Sequence, residues 1–369
     1  MSPPKLLLLE PFWGGSHRHF AQIVTQGIAA DWTTLQLPAQ HWKWRMRASA
    51  VHWALQARDV LDRPWDGILA SSYLPLAELR GLVPSLSRVP ALLYFHENQF
   101  AFPSGPTVSA EEQVRDLHYG FTQLTSALAA TVCAFNSHFN LRSFLDEADR
   151  LLRLMPRPRP RGWVQAVASR SQVLPVPLAL PDETPSLHPR QGPPRILWNH
   201  RWEHDKRPEA FFDAMQRLDA RGLEFRLLVT GQRFRHAPDC FSQAETTLAH
   251  RIDHWGFAPS REDYLTLLRQ ADIAVSTAGH EFFGVAMLEA THMGARPLVP
   301  DRLAYPEIYP SEYRYADDDA LVDELERLLT ASCALRSDRT ELTQRYGGPA
   351  LDDLRKALVS LVDHDAKTI

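Results

Sequence analysis

Two groups of charged side chains stand where a phosphorylated ligand could be gripped. Residues 280–290 read His-Glu-Phe-Phe-Gly-Val-Ala-Met-Leu-Glu-Ala, after a predicted buried strand and at the opening of a predicted helix. A helix N-terminus carries unpaired N–H groups and a partial positive charge, which suits phosphate. Gly284 lets that backbone approach a ligand closely. Glu281 falls in the loop before the helix and Glu289 about a turn and a half inside it, so both can face one crevice. Carboxylates beside a phosphate site need hydrogen-bond donors, and sugar hydroxyls supply them. Alone, the pattern fits a helix cap and a solvated glutamate equally well. The second group is Asn199-His-Arg-Trp-Glu-His-Asp-Lys206, directly after the first predicted strand of the second half. Arg201 and Lys206 would share the crevice with Glu281; the first can fork onto phosphate oxygens and the second act as a point charge, a pairing suited to a diphosphate.

These side chains need strand ends to hold them. Leu6–Leu9, Gly67–Ser71, Ala91–Phe95 and Thr131–Asn136 are short apolar runs in the first half; Arg195–Asn199, Phe225–Thr230, Ile273–Ser276 and Arg296–Val299 are their counterparts in the second. Helical patterns fall at His17–Ala30, Glu111–Ala130, Pro208–Ala220, Ser260–Gln270 and Gly284–His292. Strand–helix alternation implies parallel sheets with binding loops at the carboxyl ends of the strands, here in two Rossmann-like domains. Ten of the 28 prolines lie between Pro156 and Pro194, which places the junction near 182–194. The expected division is 1–185 for an acceptor domain, 186–348 for a donor domain and 349–369 for a C-terminal helix.

A formal net charge of −4 over 369 residues disfavours indiscriminate coating of nucleic acid. The charge is uneven, however: residues 1–181 carry 17 Lys+Arg against 13 Asp+Glu, and the rest carries 23 against 31. The three cysteines, Cys133, Cys240 and Cys333, form no C-x-x-C pair, which argues against a disulfide framework and for a reducing cytoplasm. The apolar run at Leu6–Leu9 is too short for a signal peptide or membrane span and reads as a first buried strand of a soluble protein.

Arg201 and Lys206 with Glu281-x7-Glu289 resemble the donor site of the retaining GT-B glycosyltransferases of family 4. The resemblance implies two Rossmann-like domains facing across a cleft. It also implies that Arg201 and Lys206 grip the donor diphosphate, and that Glu281 with the amides of Phe282, Phe283, Gly284 and Val285 holds sugar and phosphate. Glu289 would hold the ribose, and the loops at Gly231 and Phe257 would surround the nucleoside. A closer similarity, spanning nearly the whole chain, is to tRNA-queuosine mannosyltransferases. It rests on Glu10-Pro-Phe-Trp-Gly-Gly-Ser-His17, Leu37-Pro-Ala-Gln-His-Trp42-Lys-Trp44-Arg-Met-Arg47, Tyr94-Phe-His-Glu-Asn-Gln99, Phe135-Asn-Ser137, and the 200–206 and 280–289 segments. That resemblance implies transfer of mannose from GDP-mannose to the cyclopentenediol of queuosine in the anticodon loop of tRNA-Asp, in α linkage. GDP-mannose would be a substrate, with no further cofactor and no catalytic metal.

On the acceptor side, Gly14 and Gly15 either admit a ligand or make a tight βα turn. The resemblance places His96 near the donor sugar and β-phosphate, and His17 is a weaker candidate for acceptor contact. Unstacked anticodon bases call for cations and flat aromatic faces. Trp42, Lys43, Trp44, Arg45 and Arg47 offer both, and Arg150–Arg170 holds six arginines, Arg153, Arg157, Arg159 and Arg161 among them, with no acid. Core packing for at least one tryptophan and a solvated loop for the arginines are the plainer readings, but six like charges beside an aromatic basic segment favour phosphate binding. The triplets Asp317–Asp319 and Asp363–Asp365, and the pair His250 and His254, look metal-like but lie away from the expected crevice or lack a third ligand. Three other functions stay open: a family 4 enzyme acting on a glycan, lipid or small molecule, a nucleotide-sugar epimerase, and a non-catalytic RNA-binding protein of the same fold.

Overall fold

The computed structural model describes residues 3–101, 110–181, 192–234, 237–331 and 335–365. Cys333 and most of the expected junction lie outside these. The chain divides into unit 1, Met1–Ala179 with Tyr346–Ile369, and unit 2, Leu180–Arg345. Among the described residues no helix is long and apolar enough to cross a membrane.

Unit 1 holds six strands: β1 (Lys5–Trp13), β2 (Asp31–Pro38), β3 (Gly67–Ser71), β4 (Ala91–Phe95), β5 (Val132–Phe135) and β6 (Ser171–Val173). They lie in the order β2-β1-β3-β4-β5-β6, each pair parallel. Unit 2 holds β7 (Arg195–Trp198), β8 (Arg226–Thr230), β9 (Ile252–Gly256), β10 (Ile273–Val275), β11 (Arg296–Pro300) and β12 (Arg314–Tyr315). Their order is β12-β11-β10-β7-β8-β9, again parallel. These are two Rossmann-like domains. Winding reverses between β1 and β3 in one unit and between β7 and β10 in the other. Such switch points open a crevice at the strands' carboxyl ends.

Central strands are covered on both faces and therefore read as unbroken apolar runs. β1, β3 and β4 bury Leu7, Leu9, Ile68, Ala70, Leu93 and Phe95 together; β7, β8 and β10 bury Ile196, Trp198, Leu227, Val229, Ile273 and Val275. The strands that sequence patterning passes over, β2, β6, β9 and β12, stand at or near sheet edges. There one face is wet and the apolar run is diluted. The C-terminal helix Gly348–Asp365 belongs to unit 1. Its Leu351 would be 2.4 Å from a Cβ at Gly27, and Leu354 and Leu358 are buried.

Candidate active site

The switch point of unit 2 brings Lys206 and Glu281 together. The loop after β7 ends in a short turn, His204–Lys206, and the loop after β10 is zipped onto it. Gly279 N donates to Asp205 O at 2.8 Å and Thr277 Oγ1 to Lys206 O at 2.8 Å. Lys206 is buried, and its Nζ lies 2.7 Å from His280 O, 3.3 Å from Glu281 Oε2 and 3.2 Å from Asp205 Oδ2. Burial opposes the ammonium charge, but Glu281 and Asp205 outweigh it and raise its pKa. Burial likewise opposes ionisation of Glu281, yet Lys206, His200 and the Phe283 amide hold it down to about 2. Burial and the Lys206 charge together push His200 down to about 4, so its ring is neutral. Its Nε2 and the Oδ1 of Asn199 have no partner among the described residues.

Glu281 also closes the start of its own helix, Val285–His292. Its Oε1 accepts from Phe283 N at 3.3 Å and Gly284 N at 3.1 Å. Gly284 has φ 94°, and a Cβ there would lie 3.0 Å from the Tyr305 ring. The side chains of Phe282 and Phe283 are buried, so this stretch offers a ligand its backbone and Val285. Arg201 is half exposed and lies 3.1 Å from Glu203 Oε2. Glu289 pairs with Arg261 at 2.7 Å, on the side where Asn199 Nδ2 donates to Tyr264 Oη at 3.0 Å. Gly231 closes β8 against the β7 loop, since a Cβ there would stand 1.7 Å from His200 O. Phe257, just past β9, is 66 % exposed. Asp205, Asn199, Arg261 and Tyr264 escaped the sequence reading. Only the first two lay within a motif that carried it.

In unit 1, Glu10, His17, Tyr73, His96 and Glu97 converge at the switch point. Glu10 is a charge inside an otherwise apolar central strand, a signal that could have marked the place from sequence. It accepts from Phe12 N at 2.8 Å and Ser71 Oγ at 3.0 Å, and its Oε2 lies 3.1 Å from His17 Nδ1. The other ring nitrogen of His17 is 3.4 Å from Glu97 Oε1. His96 packs against His17 with ring centroids 4.2 Å apart and planes tilted by 37°. Burial and the neighbouring His17 charge push its pKa well below the ordinary value. Asparagines fix the loop that carries it: Asn136 Nδ2 donates to His96 O at 2.7 Å, and Asn140 Nδ2 to Phe95 O at 3.0 Å. Glu10, His17 and His96 each offer an atom within 4.8 Å of the others, close enough to share a cation. Both His17 nitrogens already face carboxylate oxygens, so the doubly engaged ring keeps no lone pair for a cation. Gly14 and Gly15 open the adjacent helix, Gly15–Gly27.

The basic aromatic strip lies on the helix Trp42–Gln56. Trp42 packs against Met46, Tyr73 and Tyr119, whereas Trp44 is 65 % exposed. Lys43, Trp44, Arg47, Asp116 and Tyr119 line one pocket, with Lys43 paired to Asp116 and the Arg47 guanidinium 5.0 Å over the Tyr119 ring. Arg45 donates to Pro38 O at 3.0 Å. The arginine run is not the uniform loop expected. Arg150 and Arg153 lie in the helix His138–Leu154 and pair with Glu147 and Asp149, one helical turn back. Arg170 turns inward and donates to Leu128 O and Ala130 O at 2.9 and 2.8 Å. Arg157, Arg159 and Arg161 are the exposed remainder. Asp317 caps a helix through Ala320 N at 2.9 Å, and His250 pairs with Asp219 at 3.0 Å.

Comparison with known proteins agrees with this division. Residues 5–178 match the family described as tRNA-queuosine alpha-mannosyltransferase N-terminal, and residues 181–345 match glycosyl transferases group 1. The chain is 36 % identical over 361 residues to a tRNA-queuosine alpha-mannosyltransferase of Drosophila melanogaster, covering 93 % of this chain and 92 % of that one. Among solved structures, a UDP-forming trehalose-phosphate synthase from Burkholderia xenovorans superposes with a TM-score of 0.68 at 14 % identity, covering 99 % of this chain and 100 % of that one. A sucrose-phosphate synthase from Thermosynechococcus elongatus gives 0.65 at 14 % identity, over 96 % and 99 %. These establish the GT-B fold. With the family match along both units, the chain is a glycosyltransferase and belongs to the tRNA-queuosine alpha-mannosyltransferase family.

Proposed function

We propose that this enzyme transfers mannose from GDP-mannose to the cyclopentenediol of queuosine in the anticodon loop of tRNA-Asp, in the cytoplasm, with retention of the α configuration. The observation that carries the reading is the pair of buried Lys206 and partly buried Glu281 at the unit 2 switch point, in a chain whose fly relative is named a tRNA-queuosine alpha-mannosyltransferase. Lys206 and Arg201 take the donor diphosphate, and the amides after Glu281 take the β-phosphate at the start of the helix. Glu281, ionised, receives sugar hydroxyls, and Glu289 the ribose. Gly231 keeps the β8 loop low while Phe257 offers a face for the base. Trp44, Lys43 and Arg47, with Arg157, Arg159 and Arg161, hold the RNA. As the diphosphate leaves, the acceptor hydroxyl attacks the oxocarbenium-like carbon from the same face, and the departing phosphate takes its proton. No metal enters this scheme. His96 serves as a neutral hydrogen-bonding group at the point of transfer.

Incubation with GDP-mannose labelled in the sugar, and tRNA-Asp with or without queuosine, tests the assignment. Label is expected only in the queuosine-containing tRNA. Label in queuosine-free tRNA, or in none, would sink it.

A further inference from the structure

His17 has no part in the scheme above, yet its environment is the more constrained of the two candidate histidines in unit 1. It sits in the first turn of the helix Gly15–Gly27 and is 5 % exposed. One ring nitrogen faces Glu10 at 3.1 Å and the other faces Glu97 at 3.4 Å. A neutral imidazole has one N–H; it can satisfy one carboxylate and must turn a lone pair toward the other. Two carboxylates on opposite nitrogens therefore select the doubly protonated ring, and a buried and a partly buried acid with no cation between them would repel. The titration behaviour agrees. Burial opposes the charge on His17, but Glu10 and Glu97 lift it to about 10, while His17 brings Glu97 down to about 2 against its own burial.

The remaining groups around His17 are Tyr73, whose ring centroid is 5.0 Å away and whose hydroxyl donates to Glu97, His96, and the Phe12 ring at 5.9 Å. Around His96 stand Tyr94 at 4.8 Å and Phe20 at 4.7 Å as well as His17. His96 Nε2 is buried with no partner among the described residues. Glu10 is spent on Phe12 N, Ser71 and His17. Hydrogen-bonding capacity for a ligand is therefore left on His96 and Glu97, both of which His17 touches. A neutral imidazole and a carboxylate on adjacent residues match the two hydroxyls of a vicinal diol.

We propose that His17 is a positioning residue, a buried imidazolium held between Glu10 and Glu97 that sets Glu97 and the neutral His96 to receive the vicinal diol of the acceptor. This rests on the mannosyl-transfer reading for the identity of the diol. The charge state of His17 does not depend on it.

The full-length protein labelled with 15N-histidine gives the first readout. Long-range proton–nitrogen spectra at about pH 8.5 should show one ring, missing in His17→Gln, with both nitrogens protonated while exposed histidines are neutral. A neutral His17 at that pH, or a metal-bound nitrogen shift on adding equimolar zinc chloride, overturns the proposal. Kinetics give the second. His17→Gln should lower kcat/KM for queuosine-containing tRNA by about 100-fold. It should also move the acid limb of the pH profile upward, because His96, freed from a neighbouring cation, keeps only its burial to hold its pKa down. His17→Lys, which returns a cation between the carboxylates, should recover part of the loss.

An unchanged pH profile in His17→Gln means a merely structural role and refutes the proposal. So does an effect confined to the KM for GDP-mannose, which would assign the diol to the donor sugar. If the wild type labels no tRNA at all, the mannosyl-transfer reading fails, and the histidine spectra still decide the charge state of His17.

Discussion

The two sheets solve one electrostatic problem in different ways at their switch points. In unit 2, Lys206 stands between Asp205 at 3.2 Å and Glu281 at 3.3 Å. In unit 1, His17 stands between Glu10 at 3.1 Å and Glu97 at 3.4 Å. A lysine ammonium is a point charge with three donors on a flexible stem, so it can exchange a carboxylate for a phosphate oxygen without moving its backbone. An imidazolium has two donors, both occupied here, on a rigid ring packed against His96 at 4.2 Å. One cation can release its partner to a ligand; the other can only hold its neighbours in place. The same charge pattern thus separates a binding group from a positioning group.

The comparison is broken most directly at the lysine. Lys206→Met keeps the stem and removes the charge, and should lower transfer by about 10³-fold. It also leaves Glu281 and Asp205 without their cation, at a cost of roughly 3–5 kcal/mol in urea denaturation. Activity within tenfold of wild type would put the diphosphate elsewhere. Glu281→Gln is the sharper partner experiment, because an amide oxygen can still accept from Phe283 N and Gly284 N. Transfer should fall by about 10²-fold while the urea midpoint drops less than in Lys206→Met. Equal stability losses in the two variants would mean that Glu281 matters as an ion-pair partner rather than as a ligand for the sugar.

How much of this was legible depended on distance along the chain. The Lys206–Glu281 pair could be read because each residue ends a motif that directly follows an apolar strand, and parallel topology brings such loops together. Glu289 was legible as a position but not as a partner. Its Arg261 stands on a separate helix, Arg261–Gln270, and no spacing rule links the two. The unit 1 cluster draws Glu10, His17, Tyr73 and Glu97 from four segments, and only the register of β1 with β3 and β3 with β4 assembles them. The edge strand β2 was hidden because Asp31–Pro38 has few buried positions. The arginine run misled for a related reason. Counting acids inside 150–170 omits Glu147 and Asp149, one helical turn earlier.

The pH dependence of stability separates the two switch points further. His17 has its folded pKa raised from 6.5 to about 10, so its contribution is complete below about pH 6.5 and is lost as pH rises toward 10. Lys206, raised above an already high value, contributes no such slope in that window. Glu281 and Glu97, both lowered to about 2, contribute above about pH 4.5 and lose it as pH falls toward 2. Urea unfolding between about pH 6.5 and 9.5 should therefore show a decline of up to about 1.4 kcal/mol per pH unit that His17→Gln abolishes. Parallel curves for wild type and variant would mean that the ring is neutral in the fold.

The smallest expected effect tests whether the unit 1 edge is the RNA side. Trp42 stacks on Tyr73 at 6.2 Å, and Tyr73 leans on His17 at 5.0 Å, so the helix Trp42–Gln56 is coupled through aromatic rings to the positioning cluster. Trp44, two residues on, is 65 % exposed. Trp44→Ala should change stability by less than about 0.5 kcal/mol. It should weaken tRNA binding by about tenfold, the worth of one stacked base. Trp42→Ala should instead cost about 2 kcal/mol of stability through lost packing. It should also lower turnover by loosening Tyr73 and with it Glu97. Binding measured at a fixed salt concentration keeps the phosphate contribution of Arg47 and Lys43 constant between the two variants. If Trp44→Ala leaves tRNA affinity unchanged, the exposed ring is not a stacking platform. Unit 1 would then grip the RNA backbone through Lys43, Arg47, Arg157, Arg159 and Arg161, and leave recognition of the nucleoside to the Glu97–His96 edge that His17 positions.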